Sequence, residues 1–298
     1  MTYPGSRWWS FDFHNHTPAS SDYYVQEKSI QPREWLLAYM KANIDCVAIT
    51  DHNSGDWIDK LQAEYLVMSQ TPPSDFRQIN IFPGVELTAS DGLHIIALFN
   101  VQEASGKIHQ IKALAKCNDH QNNAESMCSE GAVSICEHIR NLGGVSILAH
   151  AEEVNGIFEG SINASTGSFT PKRGGREVDQ VLQKCDGIEA HDLSHPALHH
   201  FGDKIVGKAL VDGSDAHRLQ KAGTRSVWIK MTQPSIEGLR LALLDSESSL
   251  IRSDSSSAST PPKAPSKRIV SVSVSQLYRR RQSPLELSFS PWFGLHPL

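Results

Sequence analysis

The chain has 298 residues, 39% of them hydrophobic and 20% charged, which excludes a chain disordered throughout. It carries 28 Lys and Arg against 33 Asp and Glu, a net charge of -5 that does not suit bulk nucleic-acid binding. The apolar stretch of about 18 residues that a membrane helix needs is absent, and residues 1–10 lack an apolar leader core, so neither a membrane span nor a secretory leader is expected.

In chain order, short apolar runs rich in β-formers fall at 9–13, 46–50, 79–82, 85–88, 93–99, 145–149, 187–190, 205–211 and 225–229. Helical patterns separate several of them, at 32–42, 56–68, 132–142, 177–184 and 236–244. The first has Pro32 at its start and Trp35, Leu36, Tyr39 and Met40 on one face. Repeated strand–helix alternation predicts an α/β fold with a parallel sheet and right-handed crossovers, open or closed into a barrel. Residues 152–176, rich in Asn, Gly, Ser and Thr, read as a long loop of the kind that often carries function. Three segments follow from this texture: a folded domain over 1–245, a Ser/Pro-rich linker over 246–268, and a tail over 269–298 with two alternating runs that read as strands. The five cysteines (Cys46, Cys117, Cys128, Cys136 and Cys185) are odd in number and lack C-x-x-C spacing. That pattern predicts free thiols in a reducing, cytoplasmic setting and no thiolate zinc site.

Histidine is the outlier, with fourteen residues. His14 and His16 follow the first expected strand, Asp51 and His52 the second, and Glu86 lies in the fourth. His94 opens the next run, His150 follows 145–149, and Asp215 and His217 follow 205–211. In a β/α architecture the carboxyl ends of the strands converge on one face, so residues spread over two hundred positions can meet there. Residues two apart leave a strand on the same side, so His14 and His16 can reach one ion or an adjacent pair. Imidazole and carboxylate donors without thiolates suit zinc, manganese or iron. With Asp22 the set is six histidines, two aspartates and one glutamate, which points to two or three ions. Each motif alone is weak. Five at strand ends in one chain are hard to reach by chance.

The segment from Phe11 to Asp22, Ile49-Thr50-Asp51-His52-Asn53, Pro83-Gly84-Val85-Glu86-Leu87-Thr88 with Leu93-His94-Ile95, Ile147-Leu148-Ala149-His150-Ala151 and Gly213-Ser214-Asp215-Ala216-His217 together resemble the motifs of the PHP (polymerase and histidinol phosphatase) family, in order, over residues 8 to about 245. The resemblance implies a distorted (β/α)7 barrel with a trinuclear metal site. Its ligands would be His14, His16, Asp22, His52, Glu86, His94, His150, Asp215 and His217. It implies hydrolysis of a phosphate mono- or diester by a metal-bridged hydroxide, with a phosphorylated small molecule, a nucleotide or a nucleic-acid end as substrate. His14, His16, Asp215 and His217 would carry the chemistry, with Arg218 as the best-placed cation for substrate phosphate; Arg225, Lys172, Arg173 and Arg176 are further candidates. The opening Gly5-Ser6-Arg7-Trp8-Trp9 and the tail resemble modules that precede an ABC/SMC-like or AAA-like ATPase, which implies an ATPase partner, although no G-x-x-x-x-G-K-[ST] loop is present. The other readings are an amidohydrolase, a non-catalytic metal-stabilised module, and an interaction module acting through 246–298. His191 is read either as orienting a ligand or as a structural histidine. His195, His199 and His200 are read as surface residues.

Overall fold

A computed structural model describes residues 5–117, 126–252, 254 and 261. The strands are β1 (Arg7–Asp12), β2 (Cys46–Ile49), β3 (Asn80–Thr88), β4 (His94–Leu98), β5 (Val145–Leu148), β6 (Gly160–Ile162), β7 (Phe169–Pro171), β8 (Gly187–Glu189), β9 (Ala209–Val211), β10 (Val227–Met231) and β11 (Leu250–Arg252). The helices are α1 (Pro32–Lys41), α2 (Ile58–Gln70), α3 (Gly106–Ala115), α4 (Ala132–Asn141), α5 (Gly175–Leu182), α6 (Pro196–His200), α7 (Gly202–Ile205), α8 (Ile236–Leu244) and α9 (Ser246–Ser249). Among the described residues, nine strands form one sheet in the order β11-β10-β1-β2-β3-β4-β5-β8-β9.

The sheet curls until its ends nearly meet, as a distorted β/α barrel requires. Backbone leaving β9 returns to β1: the Asp215 N–H donates to the His14 carbonyl at 2.8 Å and the His16 N–H to the Ala216 carbonyl at 3.2 Å. The distortion lies in strand direction. β1–β2, β2–β3, β5–β8 and β8–β9 are parallel, whereas β4 is antiparallel to both neighbours and β10 is antiparallel to β1. The purely parallel sheet expected from strand–helix alternation is thus corrected at β4, where a tight turn over 89–93 replaces a helical crossover.

Two apolar layers hold this arrangement. Phe11, Phe13, Phe82, Ile96, Leu98, Ile147 and Val227 fill the inside of the curled sheet, with the Phe11 and Phe13 rings stacked at 4.1 Å. Trp35, Leu36, Tyr39, Ile58, Leu61, Ile108 and Ile139 pack between the sheet and the helices. α1 starts where the sequence places it, because Pro32 fixes the first turn and Gln31 and Glu34 close a capping box. The runs at 79–82 and 85–88 are one strand, β3, with Pro83-Gly84 inside it. A Cβ on Gly84 would stand 2.7 Å from the Ala97 carbonyl oxygen and 2.9 Å from that of Ile49, so glycine is what lets both neighbouring strands approach.

Several expectations change. The run 205–211 divides into the end of α7 and β9. The loop over 152–176 contains a small hairpin, β6–β7, and the first turn of α5. Cys117 and Cys128 form a disulfide rather than free thiols, while Cys46, Cys136 and Cys185 remain buried and free. The reason is tertiary: residues 128–130 dock on Thr88 and on the carbonyls of Ala115 and Lys116 at the end of α3, which sets Cys128 against Cys117. No described helix is long and apolar enough to cross a membrane.

The linker expected from residue 246 is also corrected at its start, since 246–252 form α9 and β11, the latter paired with β10. The strand pair expected over 269–298 lies outside the described residues. β11 brings Arg252 into the seam of the barrel, where its guanidinium donates to the Val211 carbonyl at 2.6 Å and stands 3.4 Å from Asp212. Both side chains are buried. Arg252→Met should therefore lower stability by about 3 kcal/mol, because it strips a buried carboxylate of a partner. That corresponds to roughly 10 °C in a thermal melt. An unchanged melting temperature would show that the seam contributes nothing.

Candidate metal centre

The carboxyl ends of the parallel strands carry the chemistry. His14 and His16 leave β1, His52 follows β2, Glu86 sits near the end of β3, and Glu189 ends β8. His150 follows β5, and Asp215 and His217 follow β9. β4 runs the other way, so its first residue, His94, arrives at the same end, opposite Thr88 of β3. His14, His16, His52, Glu86, His94 and His150 are all buried. His150 and Asp215 hold left-handed backbone angles (φ 28° and 44°), an uncommon and costly conformation for non-glycine residues.

The side chains converge in three overlapping groups. In the first, His14 Nε2 lies 3.1 Å from His16 Nε2 and 3.1 Å from Glu86 Oε2. Asp215 Oδ1 lies 3.5 Å from the first imidazole and 3.2 Å from the second. In the second, Asp22 Oδ2 lies 3.1 Å from both His52 Nε2 and His217 Nε2, with His16 adjacent. In the third, Glu86 Oε1 lies 2.9 Å from His94 Nδ1 and 3.3 Å from His150 Nε2. Metal–ligand bonds of about 2.0–2.2 Å set neighbouring donor atoms roughly 3–3.5 Å apart, so these spacings fit the corners of coordination shells. Glu86 joins the first and third groups, one oxygen to each. His16 belongs to the first and second, and His52 Nδ1 lies 3.1 Å from Glu86 Oε2. The nine expected residues are thus brought together, and the donor set fits divalent ions.

Without ions, the carboxylates hold protons on His14, His52, His150 and His217. Burial alone would lower the pKa of His14, but Glu189, Glu86 and Asp215 outweigh it and hold it well above the usual value. The same contest raises His52, His150 and His217 through Glu86, Asp22 and Asp215. Burial alone would raise Glu86, Asp22 and Asp215, yet the surrounding imidazoles pull all three down. His16 is the exception. Burial and the neighbouring His217 and His52 push it down to about 3.

The candidate ligands open into a cleft of about 580 Å³, whose far wall comes from 152–160 through Glu152, Glu153, Val154, Asn155, Glu159 and Gly160. Among the described residues no lysine or arginine lines it. Arg218 does not enter the cleft. It is exposed on the turn after His217, because neighbouring side chains leave an extended backbone in opposite directions. Lys172 pairs with Glu159 at 2.8 Å. Buried Arg173 donates to the carbonyls of Gly156 and Asp91, which makes it a tie for the loop. Arg176 is exposed, and Arg225 donates to the His191 carbonyl. His195 caps α6, while His199 and His200 are exposed.

Sequence reasoning missed the residues behind the ligands. Glu189 Oε2 accepts from His14 Nδ1 at 2.8 Å, and Ser20 Oγ stands between His16 Nδ1 and Asp51. Asn155 Nδ2 lies 3.2 Å from His94 Nε2. His191 bridges Glu153 at 3.2 Å and Glu189 at 3.5 Å. The signal for Glu189 is Glu189-Ala190-His191, which repeats the two-residue spacing of the other strand ends.

No protein-family model matches the chain. An uncharacterized protein of Streptococcus pneumoniae serotype 4 is 27% identical over 129 residues, which cover 42% of this chain and 50% of that protein. Among solved structures, the lesion-specific endonuclease EndoQ of Pyrococcus furiosus superposes with a TM-score of 0.56 at 15% identity, covering 80% of this chain and 56% of that one. A complex of Endonuclease Q with a 27-mer duplex bearing an abasic lesion gives 0.51 at 14% identity, with the same coverage. At this identity the likeness is one of fold. The chain spans about half the length of the relatives it matches.

Proposed function

We propose that this chain is a metal-dependent phosphoesterase of the PHP type, with residues 6–252 as its catalytic domain. The observation that carries the reading is Glu86, a buried carboxylate shared between two ligand groups, with each oxygen facing imidazole nitrogens at 2.9–3.3 Å. The residues holding the ions would be His14, His16, Asp22, His52, Glu86, His94, His150, Asp215 and His217. Two or three divalent ions (manganese, zinc or iron) held there would lower the pKa of bound water toward neutrality and neutralise phosphoester charge. The protein's part is to hold these donors at ligating spacing, to exclude bulk water from the buried floor, and to admit substrate past the 152–160 wall. The substrate is a phosphorylated small molecule or a nucleic-acid end. The fold likeness to a lesion-specific endonuclease favours the latter. An adjoining ATPase domain or partner belongs to the same reading, on the resemblance of the opening residues and the tail.

Protein purified without chelator should carry about two to three transition-metal ions per chain. It should hydrolyse phosphoesters in a panel that also contains amides and lactones. A folded, metal-supplemented preparation with stoichiometry near zero would overturn the proposal, and turnover of amides alone would make it an amidohydrolase.

A further inference from the structure

An imidazole ligates through one nitrogen and needs an acceptor for the N–H on the other. His14 and His16 both turn Nε2 toward Glu86 and Asp215, and both turn Nδ1 away from the cleft. They rest on different supports. His16 Nδ1 meets Ser20 Oγ at 2.9 Å, and that hydroxyl donates to Asp51 Oδ1 at 2.9 Å, so a neutral group stands between imidazole and carboxylate. His14 Nδ1 meets Glu189 Oε2 directly at 2.8 Å. The same oxygen accepts the His150 backbone N–H at 2.9 Å. One carboxylate oxygen thus fixes ligands that leave two different strands, β1 and β5.

Glu189 is fully buried at the end of β8 and lies outside all three ligand groups. Its other oxygen is held close to Gly213, where an added Cβ would stand 2.6 Å from Oε1 and 2.6 Å from the His14 backbone nitrogen. Any side chain at 213 would therefore push Glu189 and His14 apart.

We infer that Glu189 is a positioning residue, which keeps the proton of His14 on Nδ1, aims Nε2 at the ion, and strengthens that nitrogen as a donor. The inference rests on the metal-centre reading above and adds to it which ligands are controlled from behind. Glu189 governs the groups containing His14 and His150, and the group of Asp22, His52 and His217 lies beyond its reach. The test is competition titration of Zn²⁺ against a chelator of known affinity, using the full chain stripped of metal. Glu189→Gln should fold and weaken at least one Zn²⁺ step by about 10–100-fold, the usual effect of losing such a support. Glu189→Asp should recover part of the loss, and exposed His199→Ala should match wild type. Wild-type Zn²⁺ affinity in Glu189→Gln would overturn this inference alone, whereas a wild-type chain that binds no Zn²⁺ would overturn the metal reading with it. Should Glu189→Gln not fold, imidazole ¹⁵N spectra of the wild-type Zn²⁺ form decide the matter. A protonated Nδ1 and a metal-shifted Nε2 on His14 are expected, and the reverse assignment overturns the proposal.

Discussion

Glu86→Gln should reduce metal-dependent hydrolysis by about three orders of magnitude or more and remove at least one ion per chain. The carboxylate faces five imidazoles: His94 and His150 through Oε1, His14, His16 and His52 through Oε2. Glutamine keeps the shape but replaces one oxygen with an NH₂ group, which cannot ligate and would donate toward nitrogens that need their lone pairs. It also removes the anion that balances several imidazolium charges in the metal-free centre. Ions in such sites supply several kcal/mol of charge stabilisation, and about 4 kcal/mol corresponds to a thousandfold in rate. Elemental analysis and phosphoester turnover, measured beside His199→Ala, check the effect. Full occupancy and activity in Glu86→Gln would remove the joint role assigned to this carboxylate.

The candidate ligand cluster was legible because its signal is local. His14-Asn15-His16 and Asp215-Ala216-His217 combine a two-residue period with an apolar run just before them, and a β/α pattern says where such ends converge. The barrel was legible for the same reason, since each strand is an apolar run bounded by turn residues. What stayed hidden depends on tertiary docking. Leu250-Ile251-Arg252 lies in a serine-rich stretch, and only the β9 seam explains why a buried arginine ends it. The Cys117–Cys128 bond needs residues 128–130 to dock on α3, which spacing does not encode. Glu189 shares the two-residue spacing of the other strand ends through His191, but that spacing does not tell that its carboxylate sits behind His14. Arg218 misled because adjacency to His217 in sequence is not adjacency in the cleft. β4 escaped the parallel pattern because a short turn, 89–93, could be recognised only once its strand was seen to run backwards.

In thermal melts, the metal-free protein should lose stability from pH 6 to pH 8.5, whereas the metal-loaded protein should gain it. His14, His52, His150 and His217 all have folded-state pKa values raised above the unfolded value of about 6.5. Their contribution is therefore complete below about pH 6.5 and is lost as pH rises through the folded values. Buried Asp12 and Asp51 act in the same direction. Desolvation raises them to about 7 and about 6 against the hydrogen bonds they accept, so their cost to the fold accrues from about pH 4 up to those values and only the last part of it, from Asp12, falls above pH 6. Glu86, Asp22 and Asp215 are lowered, so their contribution is present above roughly pH 4–4.5 and is lost only as pH falls through their folded values. The four raised histidines thus set the alkaline limb of the metal-free chain, which begins near pH 6.5. Metal ions reverse the alkaline limb, because they bind the deprotonated donors and compete with exactly those imidazole protons. His16, held at about 3, needs to release no proton at any working pH. An ion at about a thousand times its dissociation constant adds about 4 kcal/mol, and that gain should grow with pH as the competing protons leave. Melts at pH 6, 7 and 8.5, with chelator and with Mn²⁺ or Zn²⁺, make the comparison. A metal-free melting temperature that rises over this range, or a metal-induced gain that does not grow with pH, would show that the imidazoles are not the groups the ions displace protons from.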